Sequence, residues 1–540
     1  MRKLAVLALL MLAASLASAQ GYIGRLDTLG TTTYDWQNGW HANQWLVNAP
    51  GHGLHAVWML SAATGGTTFP DRNIHYNYYD FATRLWTGAN VFPHRAGYGN
   101  VDYDPATGAA IIGCHYTGTG GVTVKLARDA APGACIFDCA DGEPVLGVTQ
   151  WPRIAVGQNG TIHIFTITAS YVLGYSRILP GNWPTYEPPR TPIDPSPGFP
   201  TFPLAASRVS GKVCLMWEIS TDDPEDAYMQ TSTDNGATWT DPEQFLPPAA
   251  YGGDTVTSFH ITSLYPWYDL ADRLHVVANV CPEVNDTVYI IPSQIWHYCA
   301  DNSPQWSRIH IATCEPAHLL ASVGYNATYA CRPCIGGGND GRLYVAWEQF
   351  DSSNVEPLTS RLRAGIWVSS SPDNGLSWTP GLLVTERNTF SHRFPSIVDR
   401  MIPGGPSEDT VCILYMIDSI SGFFVQSEGP ATFNPMVCQF IPSSLLGAEE
   451  TMNDELGTMN VGPTIVRGVL PFEARGALSD RGLRGQQREP RGELLDISGR
   501  RVLDLRPGPN DVSRLSPGVY FIHSAIDNRQ SPMPRVVITR

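Results

Sequence analysis

The 540-residue chain has few lysines, few long apolar runs and none of several common catalytic motifs. Its only lysines are Lys3, Lys125 and Lys212, and the formal net charge is −15. An acidic chain of this kind disfavours nucleic acid as a partner, because it would repel the phosphate backbone. Beyond residue 19 no stretch approaches the 18 apolar residues of a membrane-spanning helix, so we expect no transmembrane segment. H-E-x-x-H, G-x-S-x-G and P-loop patterns are also missing, and we expect neither a metal site nor a cofactor.

No segment has a convincing helical period, and a short strand-like pattern recurs instead. A Gly or Asp turn followed by β-branched and aromatic residues occurs seven times, with anchor positions 51 to 69 residues apart, at His55, Ile111, His163, Cys214, His275, Tyr344 and Cys412. A repeat of this length is typical of four-stranded propeller blades. The sequence therefore predicts an all-β chain with a seven-bladed β-propeller, or a six-bladed one because the first unit is irregular.

A second strand-like run follows most of these anchors, and a tight turn follows some of the second runs. The second runs are 74–79, 122–126, 228–231, 296–299, 365–369 and 423–426. We expect the order strand, strand, turn, strand within each blade.

The turn is a recurring S-x-D-x-G-x-x-W motif. Two copies are intact and one is degenerate: Ser232, Asp234, Gly236 and Trp239; Ser371, Asp373, Gly375 and Trp378; and Asp301 with Trp306. The aspartate can accept hydrogen bonds from the amides ahead of it, and Asn-Gly tolerates the positive φ of a hairpin. We expect the tryptophan to pack into the neighbouring unit.

These residues form the Asp-box of the sialidase-like β-propellers, and 20–445 resembles that superfamily. The resemblance implies that the boxes lie on outer hairpins with a structural role. It also implies, for a sialidase, three arginines on a substrate carboxylate, an acidic residue as acid/base and a tyrosine nucleophile. No spacing in this sequence singles out the last two, so the catalytic residues stay unknown.

Three arginines lie within two residues of a proline, shortly before a repeat strand. They are Arg153 in Trp-Pro-Arg-Ile, Arg332 in Cys-Arg-Pro and Arg393 in His-Arg-Phe-Pro. Proline is tolerated at the first residue of a strand, so we expect these elements to begin strands. If those strands are innermost, the three arginines converge on the central axis as a ligand-binding cluster. The alternative is a structural or solvated role.

Both ends of the chain look like export signals. Residues 1–19 have a basic start, an apolar run and Ala-Ser-Ala, which is typical of a secretory signal peptide. Residues 446–460 read as a linker. The elements LLDISGRRV, LSPGVYFI and RVVITR in 461–540 resemble the type A sorting domain of the type IX secretion system, a small β-sandwich. The resemblance implies type IX secretion machinery as a partner and a secreted or outer cell-surface location; the alternative is a generic β-sandwich.

The 11 cysteines are compatible with disulfides in an exported protein. Cys135 with Cys139, and Cys331 with Cys334, are spaced for local bridges, and the odd total leaves at least one thiol unbridged.

These observations favour an exported propeller that binds glycans or surface partners without catalysis. The loop aromatics Trp36, Trp40, Trp267 and Tyr268 are available to stack on sugar rings. The alternative is a glycoside hydrolase of the exo-sialidase type, and a third possibility is a purely structural surface protein.

Overall fold

The chain is described by a computed structural model. The described residues are 21–118, 121–140, 149–168, 170–190, 193, 201–218, 227–245, 247, 258–284, 287–313, 322–405, 408–447, 464–466, 469–472, 492–496, 500–506, 508–516, 518–524 and 535–538. The predicted signal peptide and most of the predicted linker lie outside them. The chain divides into two compact units, Met1–Leu446 and Gly447–Arg540.

The first unit is a seven-bladed β-propeller, as the strand repeat predicts, and six blades are excluded. The chain starts with β1 (Arg25–Thr32). Blade 1 has β2 (Leu46–Ala49), β3 (Gly53–Leu60), β4 (Asn73–Asp80) and β5 (Trp86–Asn90). Blade 2 has β6 (Ala96–Tyr103), β7 (Ala110–Gly118), β8 (Gly121–Asp129) and β9 (Phe137–Ala140). Blade 3 has β10 (Thr149–Val156), β11 (Ile162–Thr168) and β12 (Leu173–Ile178). Blade 4 has β13 (Leu204–Ala206), β14 (Val213–Glu218), β15 (Ala227–Ser232) and β16 (Glu243–Phe245).

The remaining blades follow the same antiparallel plan. Blade 5 has β17 (Ser258–Tyr268), β18 (Leu274–Val284), β19 (Thr287–Val288), β20 (Ser293–Cys299) and β21 (Trp306–Ala312). Blade 6 has β22 (Ala330–Gly337), β23 (Leu343–Val355), β24 (Leu362–Ser371) and β25 (Leu382–Leu383). Blade 7 has β26 (Ser391–Ile397), β27 (Ile402–Gly405), β28 (Glu408–Asp418) and β29 (Asn434–Pro442). The helical segments described are a 3-10 turn at Phe424–Gln426 and one α-helical turn at Ser444–Gly447.

Blade 7 is completed by the start of the chain. Strand β1 pairs antiparallel with β29, so that Arg25 lies opposite Phe440 and Thr32 opposite Asn434. The propeller is thereby closed by a strand about 400 residues distant in sequence, which leaves β29 without a free edge.

All seven anchor positions fall on the second strand of a blade, which confirms the repeat. One predicted second run is wrong: 423–426 is not a strand, since Phe424–Gln426 forms the 3-10 turn. Its apolar residues Phe423 and Phe424 instead pack against Phe394 and Phe69. Tertiary packing thus overrides a β-favouring composition.

The first strands of the blades contact one another in a ring around the axis. Five of them contain a β-bulge or register shift, near 97–100, 150–153, 261–263, 331–334 and 393–396. In four of these a residue other than glycine has a positive φ: Tyr98, Trp151, Arg332 and Phe394. The aromatic-proline and arginine-proline elements thus lie inside the strands, not at their first residue as predicted, because a bulge leaves the proline out of the hydrogen-bond ladder.

The two intact copies of the S-x-D-x-G-x-x-W motif are hydrogen-bonded turns that pack on the preceding blade. In blade 4, Ser232 Oγ accepts the Gly236 N–H at 2.9 Å and Asp234 accepts the Thr238 N–H at 2.8 Å. Ser371, Asp373, Gly375 and Ser377 repeat these bonds in blade 6. Each box tryptophan meets a ring of the blade before it: Trp239 on Tyr175, Trp306 on Phe245 and Trp378 on His297, with centroids 4.9 to 5.3 Å apart.

The three anchor histidines have matching partners. Nδ1 of His55 and of His163 lies 2.7 Å from the hydroxyl oxygen of a tyrosine on the next strand, Tyr76 and Tyr175 respectively, and Nδ1 of His275 lies 2.9 Å from Nε2 of His297. These pairs occur in blades 1, 3 and 5, and in blades 3 and 5 the ring partner also contacts the box turn of the next blade. The histidines therefore pack blades together.

The ten cysteines among the described residues are free thiols. Cys331 and Cys334 flank the β22 bulge, and their sulfur atoms donate to different acceptors, Glu348 Oε1 and carbonyl oxygens. The spacing of these two cysteines predicts a local disulfide, but the bulge directs the two thiols to different acceptors.

The second unit contains strands in two sheets. They are β30 (Thr464–Val466), β31 (Val469–Phe472), β32 (Gly492–Asp496), β33 (Arg501–Leu505), β34 (Gly508–Asp511), β35 (Gly518–Ser524) and β36 (Arg535–Ile538). One sheet has the order β30-β36-β35-β32-β33 and the other pairs β31 with β34. β32 and β33 pair antiparallel as a hairpin that contains the element LLDISGRRV, of which residues 497–499 lie outside the described residues.

Candidate functional site

The three predicted arginines all lie in first-strand bulges, at the end of the propeller where first strands begin. Arg153 belongs to β10, Arg332 to β22 and Arg393 to β26. Because neighbouring strands run in opposite directions, the Asp-box turns lie at the other end. The structure therefore separates the arginines from the boxes.

Arg332 and Arg393 converge on one carboxylate of the protein itself. Glu348 of β23 forms an ion pair with Arg332, and its Oε1 lies 3.3 Å from Nη2 of Arg393. Its Oε2 accepts the Phe394 N–H at 2.6 Å. Burial opposes ionisation of this carboxyl, but the two guanidinium groups and the Phe394 N–H outweigh it and lower the Glu348 pKa below its usual value. Both arginines therefore share one internal carboxylate, which balances part of their charge.

Arg332 also joins two loops. Its Nε donates to Gly39 O at 2.8 Å and its Nη2 donates to Asn326 O at 2.5 Å. Gly39 lies between β1 and β2, and Asn326 precedes β22. These two loops form walls of the cavity described next.

A cavity of about 320 Å³ opens beside this cluster. Its lining is rich in aromatic residues that are half-buried or exposed: Trp36, Trp40, Tyr98, Trp151, Tyr171 and Tyr325. Asn38, Gly39, His41, Arg153 and Asn326 complete it, and we call it the aromatic cavity. Four of the rings follow one another edge to face, Tyr325 on Trp36, Trp36 on Tyr98 and Tyr98 on Trp151, with centroids 5.5 to 6.3 Å apart.

The segment before β2 supplies five of the lining residues and is held rigidly. Gln37 donates to Tyr34 O and Met59 O at 2.6 and 2.8 Å, and accepts the Met59 N–H. Asp35 accepts the N–H groups of Phe424 and Val425. The cavity wall is thus built into the propeller, and does not depend on a free loop.

Arg153 lies at the cavity floor, and no carboxylate of the described residues forms an ion pair with it. Its side chain is 7% exposed and its Nη2 contacts Nε2 of His41. Within the described part of the chain, its Nε and Nη1 have no hydrogen-bond partner. Burial lowers the Arg153 pKa to about 9, so the group is still charged at neutral pH.

His41 is held neutral. Burial, followed by the charges of Arg153 and Arg332, keeps its pKa well below the usual value. Its Nδ1 likewise has no partner among the described residues. Because His41 is close to both Arg153 and Arg332, it links Arg153 to the cluster around Glu348.

Two further spaces lie along the axis. A smaller space of about 60 Å³, here the axial space, is lined by Arg153, Asp102, Arg208 and Asp399, among others. At the opposite end of the propeller a basal cavity of about 380 Å³ is lined by Arg273 and Arg400, among others. Of the four loop aromatics expected to meet sugar, Trp36 and Trp40 share the aromatic cavity, while Trp267 and Tyr268 line both the axial space and the basal cavity.

Sequence reasoning missed His41, Tyr98, Trp151 and Tyr171 as members of one site. They come from different blades, and nothing in their spacing links them. The available signal was local: Trp151 and Arg153 flank one proline, and Trp36, Trp40 and His41 lie within six residues.

No protein-family model and no curated protein matches the chain. Solved structures share the propeller fold. An ulvan lyase of polysaccharide lyase family PL25, solved bound to -[GlcA(1-4)Rha3S]-, has 11% identity and a TM-score of 0.45 over 74% of this chain and 100% of its own. The polysaccharide lyase Uly1 has 10% identity and a TM-score of 0.46 over 78% and 99%. The Hadza microbial sialidase Hz136 has 14% identity and a TM-score of 0.33 over 75% and 66%. Similarity at this level concerns the fold alone.

Among the described residues, no helix is long and apolar enough to cross a membrane.

Proposed function

We propose that the propeller binds carbohydrate in the aromatic cavity. The observation that carries this proposal is the six partly exposed aromatic side chains around one cavity whose walls are fixed by buried hydrogen bonds. Aromatic rings offer flat apolar faces to the C–H surface of a sugar, and a concave, preformed, aromatic-rich cavity is the usual form of a small-ligand site.

The arrangement of the arginines favours binding over sialoside hydrolysis. An exo-sialidase needs three arginines free to meet one substrate carboxylate. Arg332 and Arg393 instead share Glu348 and are 1% exposed. We therefore propose that Arg153 is the one of these three arginines that contacts the ligand. Release of fluorophore from a fluorogenic sialoside, abolished by Arg332→Ala, would support the sialidase alternative.

Glycan-array binding by the full chain, followed by calorimetry on the best ligand, tests the proposal. Tyr325→Ala removes an exposed cavity ring, and Tyr289→Ala removes a ring of similar exposure that is not among the cavity residues; they are 46% and 49% exposed. We expect Tyr325→Ala to weaken binding roughly ten-fold and Tyr289→Ala to leave it unchanged. Equal effects of the two variants, or no glycan bound at all, would refute the proposal.

We also propose that residues 1–19 direct export and that 461–540 address the protein to type IX secretion, so that the propeller acts outside the cell. The support is the signal-peptide pattern and the three C-terminal sequence elements. Fractionation of cells that express the chain without 461–540 tests this. Retention in the periplasm supports the sorting role, and continued arrival at the surface or in the medium contradicts it.

A further inference from the structure

We propose that the floor of the aromatic cavity binds an anionic group, so that the carbohydrate ligand is an acidic one bearing a carboxylate or a sulfate. This inference rests on the proposed function and names the chemical class of its ligand.

The unpartnered polar atoms at the floor are all donors. Within the described residues they are Nε and Nη1 of Arg153, Nδ1 of His41 and Nε1 of Trp36. Arginine and indole N–H groups can only donate. Arg153 donates to Nε2 of His41, so the neutral imidazole carries its proton on Nδ1, which is a donor too. The unpartnered buried side-chain atoms of the floor are thus all donors, which matches an anion and does not match a cation.

The balance of charges around Arg153 also favours an anionic ligand. Glu348 balances part of the charge of Arg332 and Arg393, whereas Arg153 has no ion pair within the described part of the chain. Asp102 and Asp399 also line the axial space, but Arg208 and the Val156 N–H hold the Asp102 carboxylate, and the Asn48 N–H donates to Asp399. Since a buried charge without a partner is costly, an anion at Arg153 is strongly favoured.

The guanidinium lies between two spaces. Arg153 borders both the aromatic cavity and the axial space, and its guanidinium carbon lies 5.3 Å from the centre of the Phe202 ring. His41 belongs to the fixed segment before β2 and is 4% exposed. A sugar ring against the aromatic wall therefore places an anionic substituent over Arg153.

The test has two parts, and both use the full chain. The first compares binding of uronic-acid and sulfated oligosaccharides on an array with their methyl-esterified or desulfated counterparts. We expect neutralisation of the acid to weaken binding by about ten-fold or more, the scale of one charge-assisted hydrogen bond. Arg153→Gln is expected to remove this preference, and Arg400→Gln, in the basal cavity, to keep it.

The second part needs no glycan. The melting temperature is measured in equal ionic strengths of sodium sulfate and sodium chloride. The inference predicts a larger sulfate-induced rise for the wild type and for Arg400→Gln than for Arg153→Gln. Glycan binding without preference for acid, with no Arg153-dependent sulfate effect, overturns the inference and leaves carbohydrate binding intact. An Arg153-dependent sulfate effect without any glycan binding overturns the carbohydrate function and retains the anion site.

Discussion

At the floor of the aromatic cavity the Arg153 guanidinium donates from Nη2 to Nε2 of His41. This contact fixes which imidazole nitrogen carries the proton and leaves both side chains as donors. It also couples Arg153, the arginine at the ligand site, to the neighbouring Arg332–Glu348–Arg393 cluster. We propose different roles for these two groups: Arg153 and His41 face the ligand, whereas the Arg332–Glu348–Arg393 cluster holds the cavity walls.

The pH dependence of binding follows from Arg153. His41 stays neutral and Arg153 stays charged near neutrality, so the ratio of the affinities for an acidic oligosaccharide and its neutral counterpart should be flat from about pH 6 to 8. Asp35, whose pKa burial raises to about 7, anchors the cavity wall, so its titration should change both affinities by the same factor. The ratio should fall as the pH rises through about 9, where Arg153 loses its proton. Calorimetry with both ligands across this range measures the ratio, and a fall of the ratio between pH 6 and 8 would contradict the assignment.

The free protein should respond to pH with the opposite sign. The folded-state pKa of Arg153 lies below that of the unfolded chain, so above about pH 9 the unfolded chain binds more protons and this group's contribution to stability rises with pH. The difference in melting temperature between wild type and Arg153→Gln, followed from pH 8 upward, should shrink.

Replacing Glu348 by Gln should destabilise the propeller strongly. Two buried guanidinium groups would lose their carboxylate, at a cost of about 3–5 kcal/mol. Asp351→Asn is the control, because its ion pair with Arg387 is exposed to solvent and is worth about 1 kcal/mol or less. Denaturant unfolding compares the two. Similar losses would mean that the Glu348 cluster is not structural.

Arg332→Lys tests whether Arg332 positions the cavity walls or contacts the ligand itself. Lysine keeps a charge near Glu348 but cannot bond Glu348, Gly39 O and Asn326 O together, so both cavity walls loosen. Affinity for acidic and neutral oligosaccharides should fall by the same factor, whereas Arg153→Gln should affect the acidic ones alone. A selective loss of acidic ligands in Arg332→Lys would make Arg332 a ligand contact.

Gly236→Ala tests the fit between blades 3 and 4. An added Cβ would lie 1.9 Å from the Tyr175 hydroxyl, on a backbone with φ +76°. Gly341→Ala has a similar φ of +84° and open space, so it measures backbone strain alone, about 1 kcal/mol. We expect Gly236→Ala to cost a further 1–3 kcal/mol or so, with unchanged glycan binding. Equal melting temperatures for the two variants would refute an interlocking role for the box.

The blade repeat could be predicted because each blade is a local unit. The strand composition, the turn residues and the S-x-D-x-G-x-x-W motif all lie within about 60 residues of sequence. All seven anchors, from His55 to Cys412, lie on second strands. Local sequence does not predict two features of the fold, because they depend on contacts between residues that are distant in sequence. The run 423–426 packs as a turn against Phe69 and Phe394, and β1 completes blade 7 from the other end of the chain.

The candidate site was only partly predictable. The sequence singled out Arg153, Arg332 and Arg393 from their prolines, and the structure places all three in bulges at one end of the propeller. Nothing in the sequence distinguishes Arg153 from the other two. The distinction comes from Glu348, which lies on the strand beside Arg332 and across a blade boundary from Arg393. Pairing of this kind depends on which blades are neighbours, and a single sequence does not specify it.

The most direct test of the central claim is a crystal structure of the full chain with an acidic oligosaccharide bound. The account predicts a sugar ring against Trp36 or Trp151, with its carboxylate or sulfate within hydrogen-bond distance of Arg153. A ligand in the basal cavity, or an anionic group on Arg393 with Glu348 displaced, would contradict it.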